Sequence, residues 1–143
     1  MMLSILLFTT LTNQVHAIEI GATAPDLPAV DGEHVVTLVN FWASWCGPCL
    51  EELPALDSLY NRLQGTGATV LAINIDTNQR LGEKFIKKNE LDLPVTYDPK
   101  GQIANRFEPP VMPTTYIIRL GDAPDKPDPK GFINLSKKLL GGD

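Results

Sequence analysis

Phe41-Trp42-Ala43-Ser44-Trp45-Cys46-Gly47-Pro48-Cys49 carries both cysteines of the chain at a point where the hydrophobic pattern changes period. Before it, Val35–Phe41 (VVTLVNF) is a β-branched apolar run of strand length. So continuous a run is expected to be buried on both faces. After it, Leu50, Leu53, Leu56, Leu59 and Leu63 recur at spacings of three and four, which predicts a helix over Cys49–Leu63. Gly65 and Gly67 stop that helix. Ala68–Ile75 (ATVLAINI) is a second apolar strand. Strand, helix of about four turns and strand make a βαβ unit, expected to be parallel and right-handed.

The alternation continues downstream. Leu81, Phe85 and Ile86 mark a second helix, with Lys84, Lys87 and Lys88 largely on its wet face. Val95–Tyr97 is a short extended piece, closed by the turn Asp98-Pro99-Lys100-Gly101. Ile103 and Phe107 sit at i,i+4 on a short helix, and Thr114–Leu120 (TTYIIRL) is a third clear strand. Gly121–Gly131 is polar and proline-rich and reads as a loop, and Phe132, Leu135, Leu139 and Leu140 give a final amphipathic helix. The pattern predicts an α/β fold around one sheet.

Upstream, Ile18–Asp31 contains Pro25 and Pro28 and reads as an irregular lead-in. Met2–Leu11 is mostly apolar but falls short of the roughly 20 residues needed to span a bilayer. It suits the core of a secretory signal, and Val15-His16-Ala17 suits a cleavage site. No Lys or Arg precedes the apolar run. Residues 1–17 are therefore expected to be a signal peptide and 18–143 one domain. There is no cysteine near the cleavage site for a lipid anchor.

Composition narrows the function. The chain has 143 residues, a formal charge of −5, 43% hydrophobic and 20% charged residues. That is enough for one cored domain and too apolar for disorder. An acidic balance without a Lys/Arg run argues against nucleic acid or anionic lipid as the main partner. Two histidines, one of them His16 in the expected leader, leave no donor set for zinc, and no cofactor is expected.

The chemistry centres on Cys46 and Cys49. A cysteine between a strand and a helix N-terminus faces unpaired backbone N–H groups and the positive end of the helix dipole. Both favour a thiolate, which is the nucleophile. A two-residue spacer lets the second sulfur reach the first within one turn. Gly47 permits the close turn, and Pro48 fits a first helical turn, where its missing N–H has no cost. Cys46, the outer cysteine, is expected to attack a substrate disulfide. Cys49 is expected to resolve the mixed disulfide, and Trp45 to shield the pair and offer a flat apolar contact.

FWASWCGPC resembles the active-site segment of the thioredoxin superfamily. Pro54 matches the proline inside that family's active-site helix. Val111-Met112-Pro113-Thr114-Thr115, leading into a strand, resembles its cis-proline loop. Gly21-Ala22-Thr23-Ala24-Pro25-Asp26 resembles the lead-in of the exported branch, the TlpA/ResA-like thiol–disulfide oxidoreductases that include cytochrome c maturation proteins. The likeness covers roughly residues 20–120. It implies a thioredoxin fold, with a central mixed sheet flanked by helices. It also implies a cis peptide before Pro113, with Met112 set against the dithiol and its backbone open to an extended substrate segment.

The chain departs from cytosolic thioredoxins at Asn40 and Ala72, which stand where those proteins bury an Asp and a Lys. Asp76 or Glu108 is then the candidate acid for tuning Cys49. Leu50 replaces a common Lys or Arg, and Glu51-Glu52 follow as first-turn carboxylates near Cys46. The proline-rich 121–131 segment suggests a reduced C-terminal hairpin. The resemblance implies a reductase of protein disulfides, periplasmic or otherwise exported, supplied with electrons by a membrane thiol protein, and a monomer is expected. Apocytochrome c is among the plausible substrates. A cytosolic-type thioredoxin, a peroxiredoxin-like peroxidase and a non-enzymatic thioredoxin-fold binding module are the alternatives.

Overall fold

The computed structural model describes residues 24–28 and 36–119. Residues 1–23, which hold the expected signal peptide, lie outside them, as do Val35, Leu120, the 121–131 loop and the final helix. Seven elements follow in chain order: β1 (Val36–Trp42), α1 (Gly47–Leu63), β2 (Ala68–Asn74), α2 (Gln79–Lys88), β3 (Val95–Tyr97), α3 (Ala104–Phe107) and β4 (Thr114–Arg119). Residues 24–28 form no regular element.

The strands make one mixed sheet in the order β3-β2-β1-β4. β1 pairs in parallel with β2, and β2 with β3, while β4 runs antiparallel to β1. The expected parallel pairing of the first two strands is present, with Asn40 opposite Ala72. Both strands are apolar because both of their faces are covered. Every residue of β2 is buried.

Alternate residues feed two cores, as the two-residue period of a strand requires. Leu38 and Trp42 of β1 and Val70 and Ala72 of β2 face α1, where Cys49, Leu53, Leu56 and Leu63 line the inner side, and α2, which adds Phe85 and Ile86. Trp42 and Phe85 have ring centroids 5.9 Å apart. Val39, Phe41, Leu71 and Ile73 point the other way, against Ile103, Phe107 and Ile118, with Ala24 and Leu27 packed at the edge. Phe41, Phe107 and Tyr116 form a triangle of rings with centroids 5.4, 5.5 and 6.0 Å apart. The Tyr116 hydroxyl donates to the Phe107 carbonyl at 2.9 Å. Burial, and secondarily the charge of Glu108, push the Tyr116 hydroxyl above its ordinary pKa, so it stays a donor well into the alkaline range.

Helix α1 begins at Gly47, two residues before the start that the leucine spacing predicts. Gly47 and Pro48 are exposed and carry no apolar signal, so the periodicity misses them. This moves Glu51 and Glu52 into the second turn, and the first turn holds no acidic residue. Pro54 lies inside the helix and removes one hydrogen bond from it.

The short helix α3 starts from the expected turn. The buried carboxylate of Asp98 accepts the N–H groups of Gln102, Ile103 and Ala104 at 2.7–2.9 Å. A second carboxylate clip joins α1 to the segment before β3. Asp57 Oδ1 accepts the N–H groups of Asp92 and Leu93 at 2.7 and 2.8 Å. Asp57→Ala is expected to lower stability by about 1–2 kcal/mol, since it orphans two donors at a partly buried junction. Urea unfolding midpoints measure this, and an unchanged midpoint would show that the clip contributes nothing.

Candidate active site

The strand β1 delivers its chain directly into the dithiol. Ala43 to Cys46 form a tight turn closed by the Cys46 N–H on the Ala43 carbonyl at 3.1 Å. Cys46 then takes an extended backbone (φ −94°, ψ 99°) and caps α1. Its Sγ accepts the Cys49 N–H at 3.3 Å, which satisfies one of the free donors of the helix N-terminus. Pro48 falls in the first turn, where it forfeits no bond.

Cys46 and Cys49 are joined in a disulfide, with Cα atoms 5.3 Å apart. Cys46 is 6% exposed and Cys49 1%, so the outer sulfur is the one a partner can reach. Trp45 beside them is 66% exposed, a large apolar face left in water. Val111 is the other large apolar side chain at this end of the sheet left equally open, at 65%.

The third strand needed is β4. Its first residue, Thr114, pairs with Phe41, so Met112 and Pro113 arrive where β1 gives way to the dithiol turn. The Met112–Pro113 peptide is cis. Met112 is half-buried and packs against both cores, including the one that contains Cys46 and Cys49.

A model of the AhpC/TSA family matches residues 20–121, about seven-tenths of the chain. The chain belongs to the AhpC/TSA family, within the thioredoxin superfamily. Its relatives in that family narrow the branch. It is 30% identical to the thiol-disulfide oxidoreductase ResA of Geobacillus kaustophilus, over 78% of this chain and 70% of the relative. It is 32% identical to the ResA of Oceanobacillus iheyensis, over 71% of this chain and 52% of the relative. The chain thus spans about half the length of the latter. A crystal structure of a thiol:disulfide interchange protein, DsbE, from Chlorobium tepidum superposes with a TM-score of 0.59 at 27% identity. The match covers 77% of this chain and 81% of that one. These likenesses put the chain in the ResA-like branch of the superfamily, and the structural match shows a shared fold.

The two carboxylates singled out in the sequence have different surroundings. Asp76 is 2% exposed and accepts from Ser44 N at 2.9 Å, Ser44 Oγ at 2.8 Å and Asn74 Nδ2 at 2.8 Å. Glu108 is exposed, has φ 46° and closes α3 by its N–H on the Ala104 carbonyl. Its charge bears on Tyr116.

A third carboxylate, Glu52, expected only as a first-turn charge near Cys46, meets Asn40 instead. Asn40, 1% exposed, donates from Nδ2 to Thr115 Oγ1 at 2.9 Å and to Glu52 Oε2 at 3.4 Å. Glu52 lies three residues after Cys49, so the two share a helix face at roughly 5–6 Å between Cβ atoms. Glu51 points outward and is exposed. The available signal was the spacing itself: a carboxylate at i+3 from the buried cysteine, facing a polar residue in the middle of an apolar strand. Among the described residues no group of three His, Cys, Asp or Glu side chains could hold a metal ion.

Proposed function

We propose that this chain is an exported thiol–disulfide oxidoreductase that reduces protein disulfides with the Cys46/Cys49 pair. The observation that carries this reading is the disulfide at the α1 N-terminus, with the Cys49 N–H already directed at Cys46 Sγ. The same N–H and the helix dipole stabilise a thiolate on Cys46 once the bond is opened.

The reaction runs in two exchanges. The Cys46 thiolate attacks one sulfur of a substrate disulfide, forms a mixed disulfide and releases the other substrate sulfur as a thiolate, which takes a proton. Cys49 then loses its proton and attacks Cys46 Sγ. The second substrate thiolate leaves, and the Cys46–Cys49 bond closes. Two electrons pass to the substrate, and an external dithiol must return them. The burial of Cys49 and the nearby Glu52 and Asn40 keep that second proton transfer inside the protein. Trp45, Gly47, Pro48, Met112 and Pro113 form the surface around Cys46, and the substrate segment lies along the Met112 backbone.

The electron source in this reading is a membrane thiol protein outside the cytosol, and the monomer suffices for the chemistry. Export is supported by the apolar Met2–Leu11 stretch followed by Val15-His16-Ala17. Among the described residues no helix is long and apolar enough to cross a membrane. Apocytochrome c is the candidate client class suggested by the ResA-like branch.

Substrate trapping tests both direction and compartment. Cys49→Ser, expressed in the native cell and recovered after thiol blocking, is expected to hold its clients as mixed disulfides through Cys46. Dithiothreitol should release them, and Cys46→Ser/Cys49→Ser should hold none. Recovery of no covalent partner, or of equal amounts with both variants, would defeat the proposal.

A further inference from the structure

Only two carboxylates are buried among the described residues, Asp76 and Asp98. Burying a carboxylate is costly unless its lone pairs are used. Asp98 spends its own on backbone N–H groups at the start of α3, a local structural task. Asp76 reaches 32 residues back along the chain instead, to Ser44, the residue before Trp45. One oxygen takes the Ser44 N–H, the other takes the Ser44 hydroxyl. Asn74 steadies the carboxylate from the side by donating from Nδ2, and accepts the Asp76 N–H at 3.3 Å on its Oδ1.

Cys46 has separate anchors. Its N–H is held by Ala43, its carbonyl accepts from Leu50 at 3.2 Å, and its sulfur accepts from Cys49. The dithiol turn is therefore pinned at two points, and only the first, at Ser44, depends on Asp76. Trp45 sits between the two pins with two-thirds of its surface in water. Nothing about an exposed indole fixes itself, so its placement is inherited from the backbone on either side.

We propose that Asp76 is a positioning residue: through its paired hydrogen bonds to Ser44 it holds Trp45 beside Cys46 as the apolar platform on which a protein substrate rests. This rests on the oxidoreductase reading and adds to it which carboxylate shapes the docking face. Asp76 acts on how a macromolecular partner is received, while the exchange at sulfur proceeds through Cys46 and its own anchors. A small disulfide needs only Cys46 and is indifferent to the platform.

The test compares wild type with Asp76→Ala, Trp45→Ala and the double variant, on insulin as a protein disulfide with dithiothreitol as the reductant, and on 5,5′-dithiobis(2-nitrobenzoate) as a small one, mixed in a single turnover with prereduced protein freed of dithiothreitol. Asp76→Ala removes both acceptor oxygens that face Ser44, which Asn would not do, since its amide can accept the Ser44 N–H and donate to the Ser44 hydroxyl. Asp76→Ala is expected to raise KM for insulin about five- to tenfold, the scale of one or two lost hydrogen bonds, with kcat changed less than about twofold. The single-turnover rate with the small disulfide, and the pH profile of Cys46 alkylation by iodoacetamide, should stay as in wild type. Trp45→Ala should raise the insulin KM similarly, and the double variant should add little, because both act through one platform.

An unchanged insulin KM in folded Asp76→Ala overturns the proposal, as does full additivity in the double variant. Equal losses on both substrates with a displaced alkylation profile also overturn it, by placing Asp76 on the thiols. Should Asp76→Ala fail to fold, Ser44→Ala removes only the hydroxyl contact and must raise the insulin KM in the same direction, or the proposal falls. Failure of wild type on both substrates would instead defeat the oxidoreductase reading itself, so the two failures are distinguishable.

Discussion

Cys46→Ser will abolish disulfide reduction, with activity on insulin falling by about a thousandfold or more, to the level of the free reductant. A hydroxyl at Cys46 is not ionised near neutral pH, whatever the helix N-terminus offers it, so the first exchange has no nucleophile. Cys49→Ser will fail differently. Its Cys46 still attacks, but the mixed disulfide has no buried thiol to resolve it, so one equivalent of substrate is bound and turnover stops. The contrast tests the assigned order of the sulfurs, which rests on 6% against 1% exposure and on the N–H that already points at Cys46. Both variants should stay folded. The bond closes only a short loop, with a separation of three residues, and its loss costs about 2 kcal/mol on chain-entropy grounds. Single-turnover assays read by quenched gels separate the two. If Cys46→Ser trapped substrate and Cys49→Ser did not, the roles would be reversed.

Gly82→Ala will destabilise the fold by about 2–3 kcal/mol, an unusual penalty for a change that favours helices elsewhere. Gly82 lies on the buried side of α2, and a Cβ there would stand 2.6–2.8 Å from Nδ2, Cγ and Oδ1 of Asn74. Asn74 cannot yield cheaply. It is fully buried, and its amide bonds on both sides to Asp76. Either α2 lifts and draws Phe85 away from Trp42, or Asn74 turns and leaves polar groups unpaired in the core. Urea unfolding decides the size of the effect. A midpoint equal to or above that of wild type would mean that α2 shifts without loss.

The same residues show how far the sequence can be read. Strand positions, the leucine face of α1 and the Cys-Gly-Pro-Cys turn are local: covalent spacing and hydrophobic period specify them, and the structure has them within two residues. The start of α1 escaped because Gly47 and Pro48 have no apolar side chain to mark a face. Glu52 was visible as a charge near Cys46, but its partner, Asn40, lies on another element, and the two meet only when α1 packs on β1. Asp76 was visible as a strand-end acid, but its bond to Ser44 depends on β1 and β2 lying side by side in one register.

The primary structure alone therefore determined the alternation of elements, the place of the two sulfurs and the chemistry they can perform, since each depends on neighbours along the chain. Which polar side chains surround that pair was decided only by tertiary packing. Asn40 meets Thr115 across 75 residues, Ser44 meets Asp76 across 32, and Gly82 must be bare because Asn74 lies against it. Such contacts follow from strand register and helix docking. The sum of apolar burial across the whole sheet sets these, and no local pattern records them.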